Sequence, residues 1–478
     1  MKTKIYIIAI SLFSSIAALG QTPDWLWAKS AGGNGFDAVT SVTTDNSGNI
    51  IVTGYFKSHT IIFGSATLLN EGSGTLSSDI FLVKYDVNGN VLWAKNTGGT
   101  SDDMATSIAT DASGNIFITG YFNSPTITFG STTLTNTSDT KTGMTSDIFL
   151  VKYDASGNVL WAKSAGGYLE DRVNSITADA SGNILITGFF KNNIIVFDSD
   201  TLKNTGSGDF FLAKYNTNGK ILWAKSAGGS GFDCAQSVST DISGNIFVAG
   251  YFSSPNIVFG STTLTNTDNA NTTDIFVVKY NDAGKVLWAK SAEGGYSNDV
   301  AQSIAIDPSG NVFVTGYFNS PTIIFGSSTL TKAGLFIAKY DVNGNVLWAK
   351  GIEGTATDKA NSITIDASGN SYMAGTFNNP NITFGSISLS KVGNSDIFLV
   401  KYDANGNVIW AKNAGGNGFS EATSVTADAT GNIIIAGYFR GFSIIFGSTT
   451  LKNNDTKGDV FLGKLSGAIE TKPHKNKK

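Results

Sequence analysis

Cysteine, histidine, arginine and proline are all scarce in this 478-residue chain, and each shortage removes a class of protein. Cys234 is the only cysteine, so neither an intramolecular disulfide nor a cysteine metal cluster can form, and stability must come from packing. His59 and His474 are the only histidines, which leaves almost no material for a Ser-His-Asp triad or a histidine-rich zinc site. Seven prolines against 55 glycines argue for many tight turns and against a Pro-rich disordered chain. Beyond the first twenty residues there is no long apolar run and no sustained 3.6-residue period, so neither a membrane helix nor a helical domain is expected.

Those first twenty residues stand apart. Lys2 and Lys4 precede a mostly apolar Ile5–Leu19 and the small residues Ala18 and Gly20. Residues 1–20 are therefore expected to be a secretory signal peptide cleaved before Gln21. No cysteine lies near that point, so a lipid anchor is not expected. The chain has 33 basic and 37 acidic side chains; setting aside the six lysines and one glutamate of the leader and of a basic tail (467–478) leaves 27 and 36, a net of −9. A body of that sign repels phosphate backbones, which makes nucleic acid a poor partner.

What is present is a repeat. The stretch DIFLVKYDVNGNVLWAK at Asp79–Lys95 returns at 147–163, 209–225, 274–290, 335–350 and 396–412. Its second half opens the body at Trp25–Lys29, and its first half closes it at Asp459–Leu465. The Trp of Trp-Ala-Lys falls at 27, 93, 161, 223, 288, 348 and 410, a spacing of 60 to 68 residues. Each copy also contains runs such as ATSIATD and IFITGYF, rich in Ile, Val, Phe, Tyr and Thr and bounded by Ser-Gly or Asn-Gly turns. These are strand and hairpin signals. Four strands per copy, called a to d in chain order, and seven copies predict an all-β, seven-bladed propeller over 21–466. The divided copy predicts that the N-terminal strand completes the last blade and shuts the ring. A linear solenoid needs capping ends instead. The repeated Trp is read as a docking side chain against the next blade; as an exposed sugar platform it would need seven bare rings.

Turns a–b and c–d, on one face, are nearly invariant. Connections b–c and d–a, on the other, diverge: each b–c segment opens with an extra hairpin such as Thr126–Leu134, and polar loops follow, longest at 135–146 and 265–273. That variable face is the candidate contact surface, against tolerated insertion as the alternative. Asp37, Asp103, Asp171, Asp233, Asp299 and Asp358 follow the d–a glycines, with Ser420 breaking the series. Ringing the channel mouth they offer a weak site for a cation such as Ca2+; accepting backbone N–H groups they merely order loops. The Asp-Xaa-Asn-Gly-Asn turns have Gly at the wrong place for a calcium loop and lack its closing Glu. Arg172, beside Tyr168, and Arg440 are the only two arginines, and as unrepeated residues they are the candidate binding positions.

Running DIFLVKYDANGNVLWAKNAGG into ATSVTADATGNIIIAGYF, the copies resemble the SBBP β-propeller repeats of exported bacterial proteins, many from Bacteroidetes, over about residues 24–465. The resemblance implies the propeller and an extracellular or envelope setting, and no defined activity. Gly-Lys-Val-Leu-Trp at 284–288 resembles the docking motif of quinoprotein dehydrogenases, but those have eight blades. The Asp-turn-Trp run resembles the sialidase Asp box, but sialidases hold their substrate with three arginines. No type IX sorting domain of about a hundred residues follows the last strand, so periplasm, outer membrane and exterior are all expected locations. The reading is a non-catalytic, monomeric binding scaffold for a protein or glycan, with no cofactor. The alternatives are a carbohydrate-active enzyme using carboxylates near the channel mouth and a purely structural envelope component.

Overall fold

The computed structural model describes residues 22–72, 77–137, 145–266, 272–295, 297–453 and 455–467. The expected leader (1–20), nearly all of the basic tail (467–478) and the centres of the 135–146 and 265–273 loops lie outside them. The described residues form strands and turns, with no helix among them long and apolar enough to cross a membrane. Blade 1 is Asp37–Thr44, Ile50–Phe56, Asp79–Tyr85 and Val91–Thr97, paired in that order from the inside out. The pattern recurs in blades 2 (103–165), 3 (171–227), 4 (233–294), 5 (299–353) and 6 (359–416). Blade 7 consists of Ser420–Ala427, Ile433–Phe439 and Asp459–Leu465, and its outer strand is Trp25–Ala31. Ring closure by the N-terminal strand is therefore as the divided repeat predicts.

Burial follows from layering. Strands b and c lie between two neighbouring blades, so every residue of Ile116–Phe122 and Asp147–Tyr153 is buried. Outer strands such as Val159–Ala165 keep a wet face and alternate. Each hydrophobic cluster straddles a junction: Ile148 and Leu150 of blade 2 pack with Ile186, Phe197 and Phe211 of blade 3. Innermost strands carry a bulge at the residue before a serine, as between Val39 and Ser41. At the bulge each serine Oγ accepts from a backbone N–H of the next blade. Ile108 donates to Ser41, Ile176 to Ser107, Val238 to Ser175, Ile304 to Ser237, Ile363 to Ser303, Val425 to Ser362 and Val42 to Ser424, all at 3.1–3.3 Å. The hydrogen bonds thus run unbroken around the axis.

The repeated Trp docks on the next blade, as expected. A Cβ on Gly157, in the c–d turn of blade 2, would lie 3.2 Å from Trp93 Cη2 of blade 1. With φ at 81° and an indole across its face, that turn position has two reasons to be glycine. The extra hairpins sit at the outer rim and are not free loops on the variable face. Ile61, Phe63 and Leu68 of the first are buried, and in blades 5 and 7 the hairpin adds to the preceding blade's outer strand.

The closing seam has its own fit. Trp25 occupies the place of Val91 or Val159, opposite Leu465 where other blades have Tyr85 or Tyr153. Its ring stands edge-on to Phe446 at 4.9 Å and lies over Gly463, where other copies have Val or Ala. A larger residue on one strand meets two smaller ones on the other, which favours this pairing over any other outer strand.

A buried lysine in strand c ties three points together. Lys84 Nζ is 2.9 Å from Asp45 in its own a–b turn and donates to Ala155 O in the next blade's c–d turn at 3.2 Å. Lys214 pairs likewise with Asp179, at 2.8 Å, and with Asp282 across the junction. Both Lys214 and Asp179 are almost wholly buried, so removing the cation strands a carboxylate. We expect Lys214→Met to cost about 3–5 kcal/mol in a urea titration, and a loss below about 1 kcal/mol, the level of an exposed pair, would refute the tie.

Candidate functional site

The six repeated aspartates on the variable face do not line the channel mouth with free oxygens. Asp37 is wholly buried and accepts from Lys57 N at 3.2 Å, Ser58 N at 3.1 Å and Ser58 Oγ at 2.6 Å. Asp103, Asp233 and Asp299 hold Ser124, Ser254 and Ser320 in the same way, and Asp171 and Asp358 hold Asn192 and Asn379. Each carboxylate thus clamps the end of its own b strand. Among the described residues, no group of three or more Asp, Glu, His or Cys side chains is disposed to hold a metal ion. Where Ser420 replaces Asp, its N–H instead donates to Ser395 Oγ at 3.0 Å.

A second acid set was legible only as the first letter of the repeat. Asp79, Asp147, Asp209 and Asp459 open strands c, and each is close enough to the clamp aspartate of the next blade for the two charges to repel. Asp79 accepts from Glu71 N at 2.7 Å and packs against Gly98, where a Cβ would lie 2.1 Å from its Oδ1.

Repetition breaks on this face one residue further along the inner strands. The residue after each clamp is Ala38, Met104, Arg172, Cys234, Val300, Lys359 or Glu421. Opposite them in strand b stand Tyr55, Tyr121, Phe189, Tyr251, Tyr317, Thr376 and Tyr438. This aromatic set is the feature that sequence reasoning missed; the Tyr of the Gly-Tyr-Phe run was its signal. The two arginines join it from separate blades. Arg172 lies 4.3 Å over Tyr121 with its Nε 2.6 Å from Glu170 Oε1. Arg440 lies 4.5 Å over Phe36, whose ring meets Tyr438 edge-on at 5.0 Å. Tyr438 Oη donates to Glu421 at 2.7 Å, and Lys359 Nζ is 3.8 Å from the same carboxylate. Tyr168, 69% exposed, lies four residues before Arg172 in the chain, and Phe419 and Phe442 are exposed beside Arg440. The unrepeated acids Glu170 and Glu421 lie at the inner strands of blades 3 and 7, each paired with a cation.

The monotonous face also carries a cavity, of about 550 Å³, across blades 4 to 6 and bordered by Ile242, Pro308 and Ala367. It reflects spacing between a–b turns, and the repeat gave no hint of it.

A seven-bladed β-propeller is the class this geometry defines. Residues 288–321 match the family described as a beta-propeller repeat, SBBP, so the chain carries that repeat, and the matched stretch spans the Trp of blade 4 and the first half of blade 5. The chain is similar to an uncharacterized WD repeat-containing protein of Acanthamoeba polyphaga mimivirus, at 27% identity over 93% of this chain. It is also similar to the regulatory protein FlaEY of Caulobacter vibrioides, at 23% identity over 74% of this chain. It spans about 38% of the length of each of these relatives. Among solved structures, the WD40 propeller domain of Doa1 aligns over 94% of this chain and 97% of its own, with a TM-score of 0.44 and 12% identity.

Burial sets the acids of the two faces apart. On the variable face it raises Asp37 and Asp79 to about 6, and Asp103, Asp171 and Asp459 to about 7. On the other face burial is outweighed by partners: Thr430, Asn432 and Lys464 bring Asp428 down to about 2, and Asp45 and Asp179 are also lowered. A raised acid stabilises the fold below its unfolded value of 3.8 and loses that contribution as pH rises through 6 to 7. A lowered acid stabilises above 3.8 and loses its contribution as pH falls toward 2. Thermal unfolding between about pH 3 and 8 should therefore peak near pH 4–5. Asp103→Asn should flatten the alkaline decline; a Tm that rises steadily to pH 8 would contradict these assignments.

Proposed function

We propose that the chain is a non-catalytic, monomeric binding scaffold exported to a bacterial envelope, and that it presents its variable face to a protein or glycan partner. The observation that carries this reading is the break in repetition at the channel mouth: two arginines stacked on aromatic rings, with exposed Tyr168, Phe419 and Phe442 beside them. Aromatic and arginine side chains held rigidly by a scaffold are the residue types that dominate binding energy at interfaces. A relative named for WD repeats and another named as a regulatory protein support an interaction role. The apolar segment at 5–19 supports export.

Immobilised protein should capture a partner from envelope extracts or retain a ligand on a glycan array. Arg172→Ala combined with Arg440→Ala should weaken capture by about tenfold or more, the effect of losing an interface anchor. Trimming the 135–146 and 265–273 loops should weaken it too. Capture unchanged by all of these variants would remove the variable face from the mechanism.

A further inference from the structure

At the outer rim, between the outer strand of one blade and the hairpin of the next, four junctions hold equivalent cavities. They measure about 290 Å³ between blades 7 and 1, 520 Å³ between 1 and 2, 320 Å³ between 4 and 5, and 380 Å³ between 5 and 6. Each is lined by the Lys of Trp-Ala-Lys (Lys29, Lys95, Lys290 or Lys350) together with a strand c tyrosine, the hairpin glycine and the c–d turn, and none is lined by Asp or Glu. Among the described residues these four ammonium groups have no hydrogen-bond or ion-pair partner. The tyrosines are almost wholly buried, and Tyr402 Oη, in the cavity between blades 5 and 6, is a buried hydroxyl with no partner.

The junction between blades 2 and 3 shows what fits. Six of the hairpins turn through Gly-Ser, but here the turn is Asp198-Ser199, with Asp198 forced to φ 50°. Asp198 Oδ1 lies 3.4 Å from Lys163, the lysine equivalent to Lys95, and its Oδ2 accepts from Ile221 N at 3.3 Å. Ile221 is the counterpart of Val91, Val159, Val346 and Val408. The chain thus places its own carboxylate at this junction, on the lysine of one outer strand and the backbone N–H that begins the next. Between blades 6 and 7, Trp25 and Leu465 replace the valine and tyrosine.

We propose that the rim cavities are carboxylate-binding subsites for an acidic sugar, the uronate carboxylate on the lysine and a ring hydroxyl on the tyrosine Oη, repeated around the propeller so that several residues of an acidic glycan can bind. The lining of Lys, Tyr, Ser or Thr, and glycine backbone offers hydrogen-bonding groups for hydroxyls rather than a deep apolar recess for a peptide side chain. This surface is separate from the channel mouth, so the two readings stand or fall apart.

The test is calorimetric titration of the whole chain at low salt with trigalacturonate, with maltotriose and pentaglutamate as the other arms. Trigalacturonate should bind at more than one equivalent per chain, and maltotriose should not bind. Lys95→Gln with Lys350→Gln should lower the stoichiometry or weaken binding roughly tenfold, equivalent to about 1.4 kcal/mol. Asp198→Gly restores the residue found in six other hairpins and should add a site. Circular dichroism confirms that each variant stays folded. No heat with trigalacturonate, equal binding of maltotriose, tighter binding of pentaglutamate, or a stoichiometry indifferent to both the lysine and the Asp198 changes would each overturn the proposal.

Discussion

Everything in this molecule depends on the seam between adjacent blades. Strands b and c are apolar on both faces, so an isolated blade exposes two greasy surfaces and has no stable form of its own. Every seam carries an amide-to-serine hydrogen bond at the axis, and all but the one between blades 6 and 7 also set an indole against a glycine turn outside. The buried lysine adds a third point, reaching from its own a–b turn to the neighbour's c–d turn. Because each blade needs a neighbour on both sides, the chain of contacts ends only by returning to its start. Trp25 and Leu465 make that return specific, since their sizes fit each other and no other outer strand.

The same seam explains why acids behave differently on the two faces. Where a lysine reaches the turn aspartate, as at Asp45, Asp179 and Asp428, the buried charge is matched. On the variable face the clamp and the strand-opening aspartate approach each other across the junction with no cation between them, and hydrogen bonds must do the work instead. Gly334 and Ser420 each delete one member of such a pair, so two of the seven junctions escape the repulsion altogether. The ring is therefore held by ion pairs on one side and by partly neutralised acids on the other.

Much of the architecture was legible because repetition multiplies a weak signal. One Asn-Gly or Ser-Gly turn between apolar runs suggests a hairpin; seven copies of the whole pattern at even spacing, with one divided between the ends, require a closed ring. What lay hidden were contacts between residues some 60 to 70 positions apart, such as Lys84 with Ala155, for which no local pattern exists. The placement of the hairpins was hidden too. Thr126–Phe129 reads as a strand either on a face or at a rim, and only packing against the neighbouring outer strand decides between them. Arg172 and Arg440 were found because they are rare, whereas the aromatic rings they stack on, Tyr121 and Phe36, are of common types and escaped notice.

Repetition by itself therefore does not separate scaffold from site. The clamp aspartates, the axial serines and the strand c lysines all recur, and each is consumed by a neighbour; these are scaffold. The lysine of Trp-Ala-Lys recurs just as faithfully, yet among the described residues it has no hydrogen-bond or ion-pair partner at any of the four cavities, and Lys163 is satisfied only because Asp198 displaces the usual glycine at the cost of a left-handed backbone. A repeated group whose bonding capacity is spent holds the ring together. A repeated group left unspent beside a cavity is a multivalent surface, so functional chemistry in such a ring can sit in the repeat as well as in its exceptions.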